Sequence, residues 1–271
     1  MDWIGEPQTS RGVTERRFDL PVADEVVPGL LWTPEDAQAS RPLVLLGHGG
    51  SQHKRAPNIL ALARRIVRHL GFAAAAIDGP MHGDRTEGGT ELTLADVNAR
   101  LADRSPEEAR AMFRGAREEW KAALDALQKV EGVGEGPVGY WGLSMGTIIG
   151  LPFVASEPRI DAAVLGLMGV AADARAGSAR SIEIPVLFLV QWDDELVPRD
   201  HALTLFDRLA TRDKAMHVNP GAHAAVPVEE VMASERFFEK HLGSKLLRSS
   251  KEETVGKKEA LGEQEAAGTT T

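Results

Sequence analysis

Cysteine is absent from all 271 residues, which excludes disulfides, thiolate nucleophiles, zinc-thiolate sites and cysteine-ligated iron-sulfur clusters. Basic residues are in deficit: 31 Lys and Arg face 40 Asp and Glu, a formal net charge of -9. A chain of that sign has no general attraction for phosphates, so neither nucleic acid nor an anionic membrane is an expected partner. Long apolar runs are missing as well. Short runs such as 42–47 and 71–77 fall far short of the roughly 18 residues that span a bilayer, so no membrane insertion is expected. Residues 1–20 are polar and charged and carry no signal-peptide core, which makes a cytoplasmic protein the expectation. At about 150 residues per domain the length allows one to two domains, enough to bury a large core without staples.

What is present is an alternation of short apolar runs with longer periodic segments. Residues 42–47, 72–77, 137–141, 160–167, 184–191 and 215–219 read as strands; 57–70, 106–130, 147–155, 199–209 and 226–241 read as helices. Strands apolar on both faces and separated by helices specify an α/β fold, a mostly parallel central sheet with helices on both faces. The opening differs, since 13–20 and 26–32 predict an antiparallel N-terminal hairpin. The alanine run 73–76 suits a helix by propensity, and only the flanking Gly71 and Asp78-Gly79 favour a strand. A polar excursion at 84–104, with a short helix near 94–101, exceeds the usual strand-to-helix loop and is a candidate lid or specificity wall. The domain is expected to span 1–243, and 244–271, rich in Lys, Glu, Gly, Ser and Thr, to be a disordered polar tail.

Gly142-Leu143-Ser144-Met145-Gly146 is a G-x-S-x-G motif, weak by itself. Here it lies between a strand and a helix, the setting that exposes a serine hydroxyl above the carboxyl end of a sheet. A hydroxyl becomes a nucleophile only when a base takes its proton. Of the 8 histidines, His223 has the best position, in a loop that follows the strand at 215–219. The base in turn needs a carboxylate to fix its tautomer. Asp193, Asp194 and Glu195 follow the strand at 184–191 and offer three choices.

Gly47-His48-Gly49-Gly50-Ser51 follows the strand at 42–46 and exposes backbone N–H groups. The N–H of Gly50 or of Ser51, together with that of Met145, forms a candidate oxyanion hole, each donor being worth roughly 3 kcal/mol in the transition state. A phosphate loop is the rival, but no Lys stands at the required spacing. His48 reads as a residue that holds the loop and, with Gly49, Leu143, Met81 and Trp192, borders the substrate; Met168 and Leu196 are further wall candidates. His48, His53 and His82 lack a compact ligand spacing, so no metal is expected.

Between 13 and 243 the chain resembles the α/β-hydrolase superfamily, and within it serine esterases related to dienelactone hydrolases and acyl-peptidase-like esterases. His48-Gly49-Gly50, Gly142 to Gly146 and Gly221-Ala222-His223 carry the resemblance, and Asp78 to Arg85 is similar to a segment at the family's active-site entrance. The resemblance implies that the triad acid lies three residues before a Val-Pro pair, which selects Asp194 before Val197-Pro198. It implies an α/β-hydrolase fold and a cofactor-free carboxylic ester hydrolase. Its substrate would be a small-molecule ester of short to medium acyl chain, cleaved by Ser144, His223 and Asp194. Dienelactone hydrolases proper carry cysteine where this chain has Ser144, so lactone specificity does not transfer. The insertion at 84–104 is too short to resemble the multi-helix caps of some relatives. Thioester or peptide cleavage by the same triad, cofactor-free perhydrolysis and a silent ligand-binding role are the alternatives; self-association is left open.

Overall fold

The computed structural model describes residues 1–86, 92–170 and 177–243. The tail at 244–271 lies outside the described residues, as does part of the polar insertion. Among the described residues nine strands form one sheet: β1 (Asp2–Ser10), β2 (Val13–Val22), β3 (Glu25–Pro34), β4 (Leu43–Gly47), β5 (Ala73–Ile77), β6 (Val138–Leu143), β7 (Ile160–Gly166), β8 (Val186–Gln191) and β9 (Lys214–Asn219). Their order is β1-β2-β3-β5-β4-β6-β7-β8-β9. From β5 through β9 every neighbouring pair is parallel, and β1, β2 and β3 join antiparallel, β3 pairing with β5.

Helices cover both faces because the central strands are apolar on both. β4, β5, β6 and β8 are buried at every position. On one face α1 (Pro57–Arg65) and α6 (Glu229–Phe238) pack Ile59, Leu62 and Phe238 against Val44, Leu46 and Ala74. The other face carries α3 (Pro106–Leu127), α4 (Met145–Ser156) and α5 (Arg199–Arg208), whose Trp120, Phe153 and Leu205 meet Leu45, Tyr140 and Phe188. Trp120, Tyr140 and Phe153 form an aromatic triangle with ring centroids 5.7 to 6.3 Å apart. Ser105 and Glu108 close a reciprocal capping box at the start of α3, which therefore begins where the sequence places it and ends at Leu127 rather than 130. No described helix is long and apolar enough to cross a membrane.

The N-terminal hairpin and the helix at 57–70 depart from the sequence expectation, and the closing helix expected at 226–241 is α-helical only over Glu229–Phe238. The predicted hairpin is present but longer, and β1 makes it a three-stranded meander. β1 is an edge strand exposed at every residue but Trp3, so it has no apolar alternation to detect. It is held by its ladder to β2 and by Trp3, which sits edge-on to Phe18 and under the Arg16 guanidinium. The helix expected at 57–70 is α-helical to Arg65 and closes with a wider turn, Ile66–Leu70, ended by Gly71 at φ +67°.

The alanines of β5 are a strand for a packing reason. Ala73, Ala75 and Ile77 face one core while Ala74 and Ala76 face the other, all essentially inaccessible. Bulky partners fill the space: Trp32 and Leu31 of β3 stand opposite Ala74 and Ala75. Ala75→Val therefore raises strand propensity and still destabilises the fold, by about 1–3 kcal/mol from overpacking. Urea denaturation checks this; an unchanged or raised midpoint contradicts the packing account.

Candidate active site

The turn from β6 into α4 fixes Ser144. Its backbone sits at φ +56°, ψ -116°, a region that a side chain disfavours. The turn closes because its neighbours are glycines. A Cβ on Gly142 would lie 2.6 Å from the Gly146 carbonyl oxygen, and one on Gly146 would strike the Gly47 carbonyl of β4. The Ser144 N–H donates to Gly166 O at 3.0 Å. Buried Thr147 Oγ1 lies 2.7 Å from both Gly142 O and Gly166 O and accepts from the Gly166 N–H at 2.9 Å. The buried Tyr140 hydroxyl, its pKa pushed up by desolvation, donates to Gly146 O at 2.8 Å.

Ser144 Oγ lies 2.9 Å from His223 Nε2, and His223 Nδ1 lies 2.8 Å from Asp194 Oδ2. With Nδ1–H donating to the carboxylate, Nε2 is left as an acceptor for the serine proton. Asp194 Oδ1 accepts from the N–H groups of Leu196 and Val197, both at 2.8 Å. The two other acids of this run take backbone N–H groups of the histidine turn. Asp193 Oδ2 accepts from Gly221 N at 3.1 Å and Glu195 Oε2 from His223 N at 2.9 Å, the latter contact holding the exposed Glu195 carboxyl below its usual range. Gln191 Nε2 donates to Ala222 O and Ala225 O, and the Trp192 N–H to Asn219 O. The segment after β8 thus clamps the segment after β9.

Of the two candidate oxyanion donors on the β4 side, Ser51 is engaged elsewhere: its N–H donates to His82 Nε2 at 3.1 Å. The N–H groups of Gly50 and Met145 have no hydrogen-bond partner among the described residues. His48, expected beside the substrate, lines neither of the cavities that meet at Ser144. It is 2% exposed, donates Nδ1–H to Gly49 O at 2.8 Å and accepts the Gly79 N–H on Nε2 at 2.9 Å, so both ring nitrogens are spent on the loops. Burial pushes its pKa down to about 4. His82 donates Nδ1–H to Pro80 O at 2.7 Å, and burial lowers its pKa too. Both rings have used both nitrogens, and no group of three or more metal-ligating side chains occurs among the described residues.

The segment that carries His82 is anchored by buried charges. Lys54, 3% exposed, pairs with Asp78, 0% exposed, and with Asp84 at 2.7 Å; that contact holds the Asp84 carboxyl below its usual range. Asp78 also accepts the N–H groups of Lys54 and Asp84, each at 2.9 Å. Arg85 grips Glu119 of α3 through two bonds of 2.8 and 3.0 Å.

Two cavities of about 540 and 390 Å³ meet at Ser144 and His223. Gly49, Trp141, Leu143, Leu189 and Val231 line the larger; Val97, Phe113, Ile148, Met168 and Leu196 line the smaller. Gly50, Leu167 and Leu94 border both. Leu94 opens α2 (Leu94–Ala102) inside the polar insertion, so its apolar side chain is the contact that composition hid. Leu143 and Gly49, both expected beside the substrate, line the larger cavity. Met81 and Trp192 line neither cavity. Met81 borders a separate polar pocket with Arg85, Arg104 and Glu119, and Trp192 is 47% exposed, with the Arg199 guanidinium stacked 3.5 Å above its ring.

The profile of the dienelactone hydrolase family matches residues 29–228. A cold-adapted esterase from an Arctic intertidal metagenomic library, solved as a PEG-bound complex, is 40% identical; the match covers 89% of this chain and 100% of that one, with a TM-score of 0.77. Acetyl xylan esterase 1 from Thermoanaerobacterium sp. JW/SL YS485 is 17% identical over 88% of this chain and 87% of its own, with a TM-score of 0.68. Dienelactone hydrolase from Anabaena variabilis ATCC 29413 is 21% identical over 88% and 100%, with a TM-score of 0.62. At those two identities the likeness shows the α/β-hydrolase fold alone. No curated protein sequence matches the chain.

Neutral, buried His48 couples the site to acid stability. Its pKa drops from 6.5 in the unfolded chain to about 4 in the folded one, so between those values the unfolded chain binds more protons. That contribution to stability is complete above pH 6.5 and is lost as pH falls towards 4. The Tm therefore falls across this window, and His48→Gln makes the fall shallower. Equal slopes in thermal melts of the two proteins contradict the assignment.

Proposed function

The chain belongs to the dienelactone hydrolase family, and on that premise we propose that it is a serine hydrolase that cleaves carboxylic esters through Ser144, His223 and Asp194. The observation that carries this reading is the continuous chain from Ser144 Oγ through the His223 ring to Asp194, with steps of 2.9 and 2.8 Å. The 40% identical esterase supports esters as the substrate class.

In the proposed reaction Ser144 Oγ attacks the ester carbonyl carbon as His223 Nε2 takes its proton. Asp194 stabilises the imidazolium and keeps the Nδ1–H tautomer in place. The carbonyl oxygen, now an alkoxide, receives the N–H groups of Gly50 and Met145, and the latter also carries the positive end of the α4 dipole. Collapse breaks the bond to the alcohol oxygen, which takes the proton from His223. Water then repeats the sequence on the acyl-enzyme and releases the acid. No cofactor enters these steps. The two apolar cavities give room on both sides of the ester for a short to medium acyl chain and its alcohol. Helix α2 acts as a small lid through Leu94 and Val97.

Hydrolysis of p-nitrophenyl esters from two to sixteen carbons tests the reading, beside Ser144→Ala. Alanine keeps the Cβ, so the turn is unchanged while the nucleophile is gone. Wild type turns over the short and medium chains, and the variant loses on the order of 1000-fold or more. An ester panel left uncleaved by wild type overturns the ester assignment and moves the triad to thioesters or peptides.

A further inference from the structure

Six non-glycine residues among those described adopt positive φ. Arg11 and Ala23 lie in the tight turns of the N-terminal meander; the other four, Ser51, Met81, Ser144 and Leu167, lie in the segments that leave β4, β5, β6 and β7 at the carboxyl end of the parallel sheet. Ser144 is accounted for by the nucleophile turn. Ser51 and Met81 stand at the two ends of a single contact: Ser51 at φ +60° supplies the N–H, and Met81 at φ +64° precedes the acceptor His82. Disfavoured backbone on both sides of one hydrogen bond is retained only where the surroundings over-determine it.

The surroundings do so. His82 is 2% exposed, and its other nitrogen donates to Pro80 O at 2.7 Å. The segment behind it is fixed by the Lys54–Asp78 pair and by Arg85 on Glu119. On the loop after β4, Gly49 N donates to Gln52 Oε1 at 3.1 Å and Ser51 N to His82. Between these two tethered amides lies Gly50, whose N–H is the free one. A glycine has no side chain to restrict its dihedrals, so its N–H direction depends on the anchors at either side.

We propose that His82 is a positioning residue for ester hydrolysis: by accepting the Ser51 N–H it locks the loop so that the Gly50 N–H points at the developing oxyanion. The role rests on the esterase reading above. It requires the neutral ring, because an imidazolium would present a donor to a donor; the burial that lowers the His82 pKa keeps it neutral.

Three variants separate aim from bulk. His82→Ala removes the acceptor. His82→Asn keeps a polar group near Pro80 O but falls short of Ser51, and His82→Gln restores the reach. The amount of competent enzyme in each preparation is fixed by fluorophosphonate titration of Ser144. Per competent site, His82→Ala and His82→Asn lower kcat by about 10- to 100-fold with KM within about twofold, less than the loss of an entire oxyanion donor. His82→Gln recovers most of kcat. Hydrogen exchange at the Ser51 amide speeds up in Ala and Asn and not in Gln. If His82→Ala does not fold, Asn against Gln carries the comparison. Wild-type turnover with kcat unchanged in His82→Asn overturns the proposal alone; a parallel loss in Asn and Gln, with the Ser51 amide still protected, assigns His82 a packing role and also overturns it. Absence of turnover in the wild type overturns the esterase reading, and this proposal with it.

Discussion

A serine held in left-handed backbone between a strand and a helix is the constraint on which the rest of this molecule depends. Such a conformation costs on the order of 1–3 kcal/mol and persists only when the packing around it leaves no alternative. Here the alternative is removed by close backbone contact: Gly142, Gly146 and Gly47 bring β6, α4 and β4 together where no Cβ fits. Thr147, Tyr140 and the Gly166 amide and carbonyl then saturate the polar groups that this contact buries. Much of the centre of the fold is arranged around one half-buried hydroxyl.

The parallel sheet explains why the other parts converge on that hydroxyl. Segments leaving the carboxyl ends of β4, β5, β6, β8 and β9 supply Gly50, His82, Ser144, Asp194 and His223, residues far apart in sequence and adjacent in space. Segments of this kind hold position only when tied to one another. Two sets of ties do this with different chemistry. On one side the three acids after β8 and Gln191 grip the histidine turn. On the other, the Lys54–Asp78 pair and the Arg85–Glu119 pair anchor the segment after β5. A buried ion pair is weak evidence of stability, since desolvation offsets its attraction. Its use here is in direction: both pairs point the segment at the loop that supplies Gly50.

The sheet, its helices and the strained serine turn were legible because each leaves a local signal: apolar runs of strand length, helical periodicity, a glycine-flanked serine between strand and helix. Strand β1 left none, because an exposed edge strand is defined by backbone pairing and not by side-chain pattern. Asp194 stood out from Asp193 and Glu195 only through the resemblance; in space the three separate plainly, one reaching an imidazole and two reaching amides. Ser51 and Gly50 looked equivalent as oxyanion donors in sequence, and His82, 31 residues away, distinguishes them. Met81 and Trp192 were wall candidates in the sequence, yet neither lines the two cavities at Ser144. Met81 at φ +64° belongs to another pocket, and Trp192 is covered by Arg199 rather than by the cleft. The helix near 94–101 was expected, but Leu94 was not among the wall candidates because the segment around it is polar in composition.

The most direct test of the central claim is covalent trapping with a fluorophosphonate, followed by proteolysis and mass spectrometry. The reagent phosphonylates a serine oxygen and expels fluoride, so it reports an activated hydroxyl independently of any ester chosen. The account predicts a single adduct, on Ser144, formed at a rate that His223→Ala lowers by about 100-fold or more. An adduct on another residue, or labelling of Ser144 at the same rate without His223, would contradict it.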